Sequence, residues 1–220
     1  SEMCIRDRSG ISTFRDAGGL WDKYPVMQVA SAEGYVRDPE LVIDFYNERR
    51  KQLLDVEPNA GHTGLAELEK DFNVTVVTQN VDNLHERAGS THVIHLHGEL
   101  TKVCSSRDPY NPRYVRELKP EEYEVKMGDK AGDGSQLRPF IVWFGEAVPE
   151  IETAIGYVEK ADIFVIIGTS MNVYPAAGLL NYVPRTAEVY LIDPKPVDTH
   201  SMRQIHVIQK GASEGVKELK

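Results

Sequence analysis

Four continuous apolar runs, rich in β-branched and aromatic residues, punctuate the chain: "VTVVT" at 74–78, "FIVWF" at 140–144, "IFVIIGT" at 163–169 and "VYLID" at 189–193. Continuity rather than alternation marks a strand covered on both faces, as a parallel strand is between two helical layers. Patterns of helical period lie between the runs: "GLAELEKDF" ahead of the first, "EIETAIGYVEKA" ahead of the third and "AAGLLNYV" ahead of the fourth. Strands alternating with helices predict a doubly wound, Rossmann-like α/β fold around a parallel sheet. Right-handed crossovers would bring every strand C-terminus to one edge, where open α/β sheets bind ligands.

Two stretches break the rhythm. "DPELVIDFYNERRKQLL" at 38–54 sets Asp before Pro-Glu, a helix start, and carries Leu41, Phe45 and Leu53 at near-helical spacing, which predicts a long amphipathic helix. Residues 100–138 are rich in turn formers and charge and poor in periodic apolar positions, so they read as an inserted module. The expected division is a Rossmann-like domain of residues 1–24, 60–98 and 139–220, with a small helical and irregular module of residues 25–59 and 100–138.

Composition narrows the class. The chain has 220 residues, 41% hydrophobic and 27% charged, which suits one globular body with a smaller module set into it. A net charge of -9 argues against a non-specific grip on nucleic acid or anionic membrane. No apolar stretch approaches the roughly 20 residues that span a bilayer, and the start lacks the apolar core of a signal peptide. Cys4 and Cys104 are too few for a disulfide framework or a four-thiolate zinc site. The expectation is a cytoplasmic, monomeric enzyme with free thiols.

Each predicted strand runs into polar or permissive residues: Gln79-Asn80-Val81-Asp82, Gly145-Glu146, Thr169-Ser170 and Asp193-Pro194. Gly168-Thr169-Ser170, after a strand and before a helix, offers backbone N–H groups and two hydroxyls to phosphate or ribose oxygens. Asp193 stands where a ribose acceptor would, although strands also end in Asp for turn reasons. Together these endings point to a nucleotide. Of the histidines in "HERAGSTHVIHLHGE", His85 reads as structural and His92 as a surface loop residue. His95 and His97 alternate about Leu96 and share one face of a short strand; His97, followed by Gly98, is better placed to reach a ligand. No second ligand set completes a zinc site around them.

"SGISTFRDAGGLW" (9–21), "TQNVDNLHERAG" (78–89), "HLHGE" (95–99), "WFGE" (143–146), "GTSMNVYPAA" (168–177) and "KGASEGV" (210–216) stand in an order that resembles the sirtuins, NAD-dependent protein-lysine deacylases. The resemblance implies NAD as cofactor and assigns roles. Phe14 and Arg15 would belong to a loop folding over NAD; Gln79 and Asn80 would contact the ribose next to nicotinamide, and Asp82 the nicotinamide carboxamide. Gly168, Thr169, Ser170, Asp193 and Ala212 would line the adenosine half. His97 would be the general base, with Asn80 beside it in the catalytic centre. Substrate peptide would add as a strand between "FGE" (Phe144, Gly145, Glu146) and "NVY" (Asn172, Val173, Tyr174), its acyl-lysine stem passing Val142, Phe144 and His97. The products implied are free lysine, nicotinamide and O-acyl-ADP-ribose.

Tyr46 and Arg49, three apart in "FYNERR", share a helical face. From the residues alone they are either a Tyr covering core with an Arg in solvent, or a recognition pair. Tyr-x-x-Arg resembles the class III sirtuins, in which it recognises the carboxylate of succinyl-, malonyl- or glutaryl-lysine; Ala30 resembles the small residue that enlarges their acyl pocket. The expected partners are therefore succinylated, malonylated and acetylated proteins.

The chain departs from the family in two places. Sirtuins usually carry two Cys-x-x-Cys pairs across the region of residues 100–138, where only Cys104 remains, so no metal is expected. Upstream of "SGISTFR" the family has an apolar strand and a Gly-Ala-Gly loop cradling the NAD diphosphate; here "SEMCIRDR" stands instead. Residues 1–8 read as foreign to the fold, a truncated gene model or sequencing artefact ahead of a sirtuin body, and Asp7 would repel a diphosphate. Mono-ADP-ribosyl transfer and non-catalytic binding of NAD or acyl-peptide are the alternatives this leaves.

Overall fold

The computed structural model describes residues 24–168, 176–196 and 204–219. The apolar runs at 74–78, 163–169 and 189–193 become β1 (Val76–Thr78), β6 (Ile163–Ile167) and β7 (Glu188–Ile192). All three lie in parallel ladders: β1 pairs with β2 (Val93–His95), and β7 lies between β6 and β8 (His206–Ile208). Leu96, Ile166, Val189 and Leu191 form a common apolar cluster, with Val77 and Ile94 packed against it, so the two parallel ladders share a core. Helix α6 (Ile151–Val158) covers that core through Ala154 and Val158. The segment 176–183 is helical as its pattern predicts, but as a 3-10 helix over Ala176–Tyr182.

The run "FIVWF" does not join the parallel sheet. Its strand is β5 (Leu137–Ile141), antiparallel to β3 (Gly98–Ser105), which also pairs with the short β4 (Arg116–Glu117). A continuous apolar run shows burial on both sides and carries no direction, which is why the pattern misled. The supposedly irregular 100–138 stretch thus contributes strands to a second, antiparallel sheet.

The helix foreseen at 38–54 is α3 (Pro39–Leu54). Asp38 caps it through a bond from Leu41 N to Oδ1 at 3.0 Å, and Pro39 sits at the first turn, where a missing N–H costs nothing. Two shorter helices precede it, α1 (Val26–Val29) and α2 (Ala32–Arg37). Polar residues of α3 hold the excursion beneath it. Asn47 Nδ2 donates to Val125 O at 2.8 Å and its Oδ1 accepts from Val125 N at 2.9 Å, while Arg50 Nε donates to Tyr123 O at 2.7 Å. These are sheet-like pairings supplied by side chains, and they satisfy backbone groups that burial would otherwise strand.

The excursion closes on a hydroxyl-carboxylate hub. Ser105 Oγ donates to Asp133 Oδ2 at 2.7 Å, Ser135 Oγ donates to Asp133 Oδ1 at 2.7 Å, and Ser105 Oγ accepts from the backbone N–H groups of Arg107 and Asp108. Cys104, next to the hub, is a buried free thiol whose pKa burial pushes up to about 12. Among the described residues no group of three or more His, Cys, Asp or Glu is arranged to hold a metal ion, and no helix is long and apolar enough to cross a membrane. The expectation for residues 1–8 lies outside the described residues.

Hydrogen bonds from Ser135 and Ser105 hold the Asp133 pKa down at about 2, against an ordinary value of 3.8. A depressed carboxyl pKa stabilises the fold above the ordinary value, and the contribution is lost as pH falls toward the folded one. Asp133→Ala should therefore melt below wild type at neutral pH, the gap closing as pH is lowered from about 4 toward 2; thermal denaturation followed by circular dichroism reads this.

Candidate functional site

After β1 the chain turns sharply. Thr78 Oγ1 accepts from Asn80 N at 3.0 Å, and Asp82 Oδ1 accepts from Leu84 N at 3.3 Å, opening the short helix α5 (Leu84–Arg87). Two imidazoles brace this turn. His97 Nδ1 lies 3.2 Å from Gln79 O and His95 Nδ1 lies 2.8 Å from Asn80 O. A carbonyl only accepts, so both Nδ1 atoms carry protons. For His97 in its neutral form the lone pair is then on Nε2, the tautomer a general base requires.

His95 has a second bond that sets it apart. Its Nε2 lies 2.7 Å from Glu86 Oε1, so with Nδ1 already donating to Asn80 O the carboxylate favours the protonated, doubly donating ring. Burial works against that charge, but the bonds to Glu86 and Asn80 outweigh it and raise the pKa above 6.5. Burial likewise raises Glu86, and the His95 bond and charge more than offset it. His85 is buried edge-on to His62, ring centroids 4.8 Å apart, and His92 is exposed, as their sequence contexts predict.

Asn80 is 1% exposed, yet among the described residues neither its Oδ1 nor its Nδ2 has a hydrogen-bond partner. Leaving buried donors and acceptors unmade costs roughly 1–3 kcal/mol each, so such a carboxamide calls for a ligand with both hydroxyl hydrogen and oxygen. Ribose hydroxyls have that character.

Strand β3 begins at Gly98, whose φ of +81° and crowding exclude a side chain: a Cβ would stand 2.1 Å from Phe140 O. The space that glycine leaves is taken by backbone rather than by ligand. Val142 N donates to His97 O at 2.9 Å, joining the histidine to the 142–146 loop. That loop is in turn joined to Ala30, through a bond from Phe144 N to Ala30 O at 2.9 Å. Gly145 has a φ of +89°, and the turn closes through Glu146 N to Trp143 O at 3.0 Å. Phe144 is 55% exposed at its tip.

Tyr46 and Arg49 face this loop. Tyr46 is 2% and Arg49 5% exposed, so the solvent-exposed alternative for Arg49 does not hold. The Arg49 guanidinium lies against the Phe45 ring, 5.9 Å from its centroid. Ala30, Phe45, Tyr46 and Trp143 belong to one buried cluster, with Trp143 Nε1 donating to Tyr46 Oη at 3.1 Å. Glu146 turns inward: it accepts from Arg138 Nη1 at 2.8 Å, from Trp143 N at 2.8 Å and from Tyr110 Oη at 3.1 Å. Its carboxylate shapes the loop, while Val142 lines it half-buried.

At the ends of β6 and β7, Gly168 N donates to Ile192 O at 2.8 Å with the glycine at φ +56°. Asp193 Oδ1 accepts from Lys195 N at 2.8 Å, so this carboxylate oxygen also serves the turn after β7. Ala212 opens helix α7 (Ala212–Gly215), buried in a cluster with Ile167, Ile192 and Val216. Phe14, Arg15, Thr169, Ser170, Asn172, Val173 and Tyr174 lie outside the described residues. Glu86, Arg138 and Trp143 carry no signal in the sequence beyond being polar or aromatic near the motifs; only their partners reveal them.

The Sir2 family model matches residues 4–175 of the chain. The chain is 85% identical over 212 residues to an NAD-dependent protein deacylase of Bacteroides thetaiotaomicron, covering 96% of this chain and 91% of that protein. It is 49% identical over 215 residues to an NAD-dependent protein deacylase of Helicobacter pylori, covering 98% and 91%. The crystal structure of a Sir2 homologue in complex with NAD superposes with a TM-score of 0.83 at 36% identity, covering 98% of this chain and 84% of that one.

A raised histidine pKa stabilises the fold fully below about 6.5, and the contribution is lost as pH rises through the folded value. An NMR titration of His95 should show a midpoint above 6.5 in the wild type. In Glu86→Gln that midpoint should drop, and the stabilisation at mildly acidic pH should go with it; an unchanged midpoint would refute the ion pair.

Proposed function

The chain belongs to the Sir2 family, and on that footing we propose that it is an NAD-dependent protein-lysine deacylase that removes succinyl and malonyl groups, with acetyl groups alongside. The observation that carries this reading is the buried, unbonded carboxamide of Asn80 beside a His97 whose Nδ1 proton is held by Gln79 O. Bound NAD supplies an electrophilic sugar carbon with nicotinamide as its leaving group. Gln79 and Asn80 hold the ribose hydroxyls, Asp82 the carboxamide, and Gly168, Thr169, Ser170, Asp193 and Ala212 line the adenosine half. Phe14 and Arg15 close over the cofactor. His97 Nε2 would take the proton from a ribose hydroxyl; with water consumed, the products would be the free lysine amine, nicotinamide and O-acyl-ADP-ribose.

Acyl preference follows from charge. Arg49 is a buried guanidinium next to the Tyr46 phenol, whose pKa burial pushes up to about 12, so the phenol stays a neutral donor. A carboxylate answers that pair with charge-assisted bonds of roughly 1.5–3 kcal/mol each; an acetyl group has no anion to offer. Ala30 leaves room for the longer acyl chain. The peptide backbone pairs with the segments Phe144-Gly145-Glu146 and Asn172-Val173-Tyr174, which gives affinity with modest sequence preference. Acylated proteins of the cytoplasm are the proposed substrates, met by a monomer.

Succinyl- and acetyl-lysine peptides incubated with and without NAD test this directly. The expected product is O-acyl-ADP-ribose, formed only with NAD; label transferred to protein would favour ADP-ribosyl transfer, and binding without turnover a non-catalytic module. His97→Ala should lower kcat by ~10² to 10⁴, the usual loss with a general base. Arg49→Met should lower the ratio of kcat/KM for succinyl over acetyl peptide by about 10- to 100-fold, the equivalent of one lost charge-assisted bond. Equal loss on both peptides would sink the acyl assignment.

A further inference from the structure

Tyr46 Oη receives a hydrogen bond from Trp143 Nε1 at 3.1 Å, in a cluster where both residues are 2% exposed. An indole N–H can donate and cannot accept. The phenol oxygen must therefore accept here, and its single proton points away from Trp143. Without the indole, that hydroxyl would be free to rotate and could turn a lone pair toward an incoming acyl group. With it, the phenol has one polarity only.

Trp143 is itself held from two sides. The Arg138 guanidinium lies flat against its ring, Cζ 3.6 Å from the centroid. Arg138 grips Glu146 with both terminal nitrogens, at 2.8 Å and 3.1 Å, and Glu146 Oε2 accepts from Trp143 N at 2.8 Å. Tyr35 packs on the indole, ring centroids 5.0 Å apart. Rotation of the indole would break the stack with Arg138 and the bond to Tyr46 together, so the ring is a rigid donor rather than a filler of space.

We infer that Trp143 is a positioning residue for acyl selection: its indole N–H orients the Tyr46 hydroxyl as a donor toward the acyl terminus and so favours a carboxylate-bearing acyl group over a neutral one. This deepens the reading that Tyr46 and Arg49 meet the acyl group, and it rests on that reading. The carboxylate gains because both of its neighbours then donate. A terminal methyl gains nothing from the orientation, which is why the effect falls on selectivity rather than on turnover in general.

Trp143→Phe in the full chain removes the N–H and keeps a ring for Arg138 to stack on. The readout is the succinyl-to-acetyl ratio of peptide affinities by calorimetry, with kcat and KM measured alongside. That ratio should fall about 5- to 10-fold, the weight of one oriented hydrogen bond, with the kinetic change carried by KM for the succinyl peptide. Tyr46→Phe should lower the ratio as well, and adding Trp143→Phe to it should lower it no further, because the two act as one unit. Replacing Trp143 with benzothienylalanine, which has the indole shape without the N–H, should reproduce the loss even if the Phe variant folds poorly. Equal weakening of both peptides in the benzothienylalanine protein, with Arg49→Met still collapsing the ratio, would overturn the inference alone. An unchanged ratio in Arg49→Met would overturn the acyl-carboxylate reading and this inference with it.

Discussion

The close approach of two backbones at Gly98 is the constraint on which the site depends. A Cβ at this position would stand 2.1 Å from Phe140 O, and the residue has a φ of +81°, so both space and conformation demand glycine. Because the strands meet so tightly, His97 O can accept from Val142 N, and the imidazole leaving β2 is tied to the loop that carries Trp143 and Phe144. The parallel and antiparallel parts of the molecule thus meet at His97. A side chain there would push β5 away and separate His97 from Val142.

Around this junction the chain assigns protons by what each partner can do. Gln79 O and Asn80 O can only accept, so each dictates a proton on the Nδ1 facing it. The same bond leaves opposite results in two neighbouring histidines. His95 meets the Glu86 carboxylate at its other nitrogen, which favours its charged form; for His97 the bond to Gln79 O leaves Nε2 as the basic nitrogen of the neutral ring. The His95–Glu86 pair thus braces the turn on one side, while the His97 ring braces it on the other.

Charge beside the antiparallel sheet is handled in the same way. Arg138 and Glu146 are both largely withdrawn from water, and an ion pair so placed is retained only when its remaining donors and acceptors are satisfied. Here Trp143 N, Tyr110 Oη and Ile141 O complete the set. Asn47 and Arg50 do comparable work under α3, bonding backbone that has no strand beside it. Ser105, Asp133 and Ser135 tie the excursion's ends together.

By itself the sequence determined the elements with strong local signals. Asp38-Pro39-Glu40 opens α3 because cap and first-turn chemistry are local, and the buried runs at 76–78, 163–167 and 188–192 become parallel strands because helices flank them. The motif blocks likewise singled out Asn80, His97, Tyr46 and Arg49 as candidates, since ordered short motifs survive without knowledge of their contacts. What only the tertiary structure decided was direction and partnership. "FIVWF" is apolar whichever sheet it joins, so its antiparallel pairing with β3 was not legible. Nor was the burial of Arg49, the bond from His95 to Glu86 across the turn, or the bond from Trp143 to Tyr46 about a hundred residues away, because which side chains a turn or a packed layer brings together leaves no local trace. Hydrogen bonds depend on distances of an ångström or less, and those are set when the layers pack.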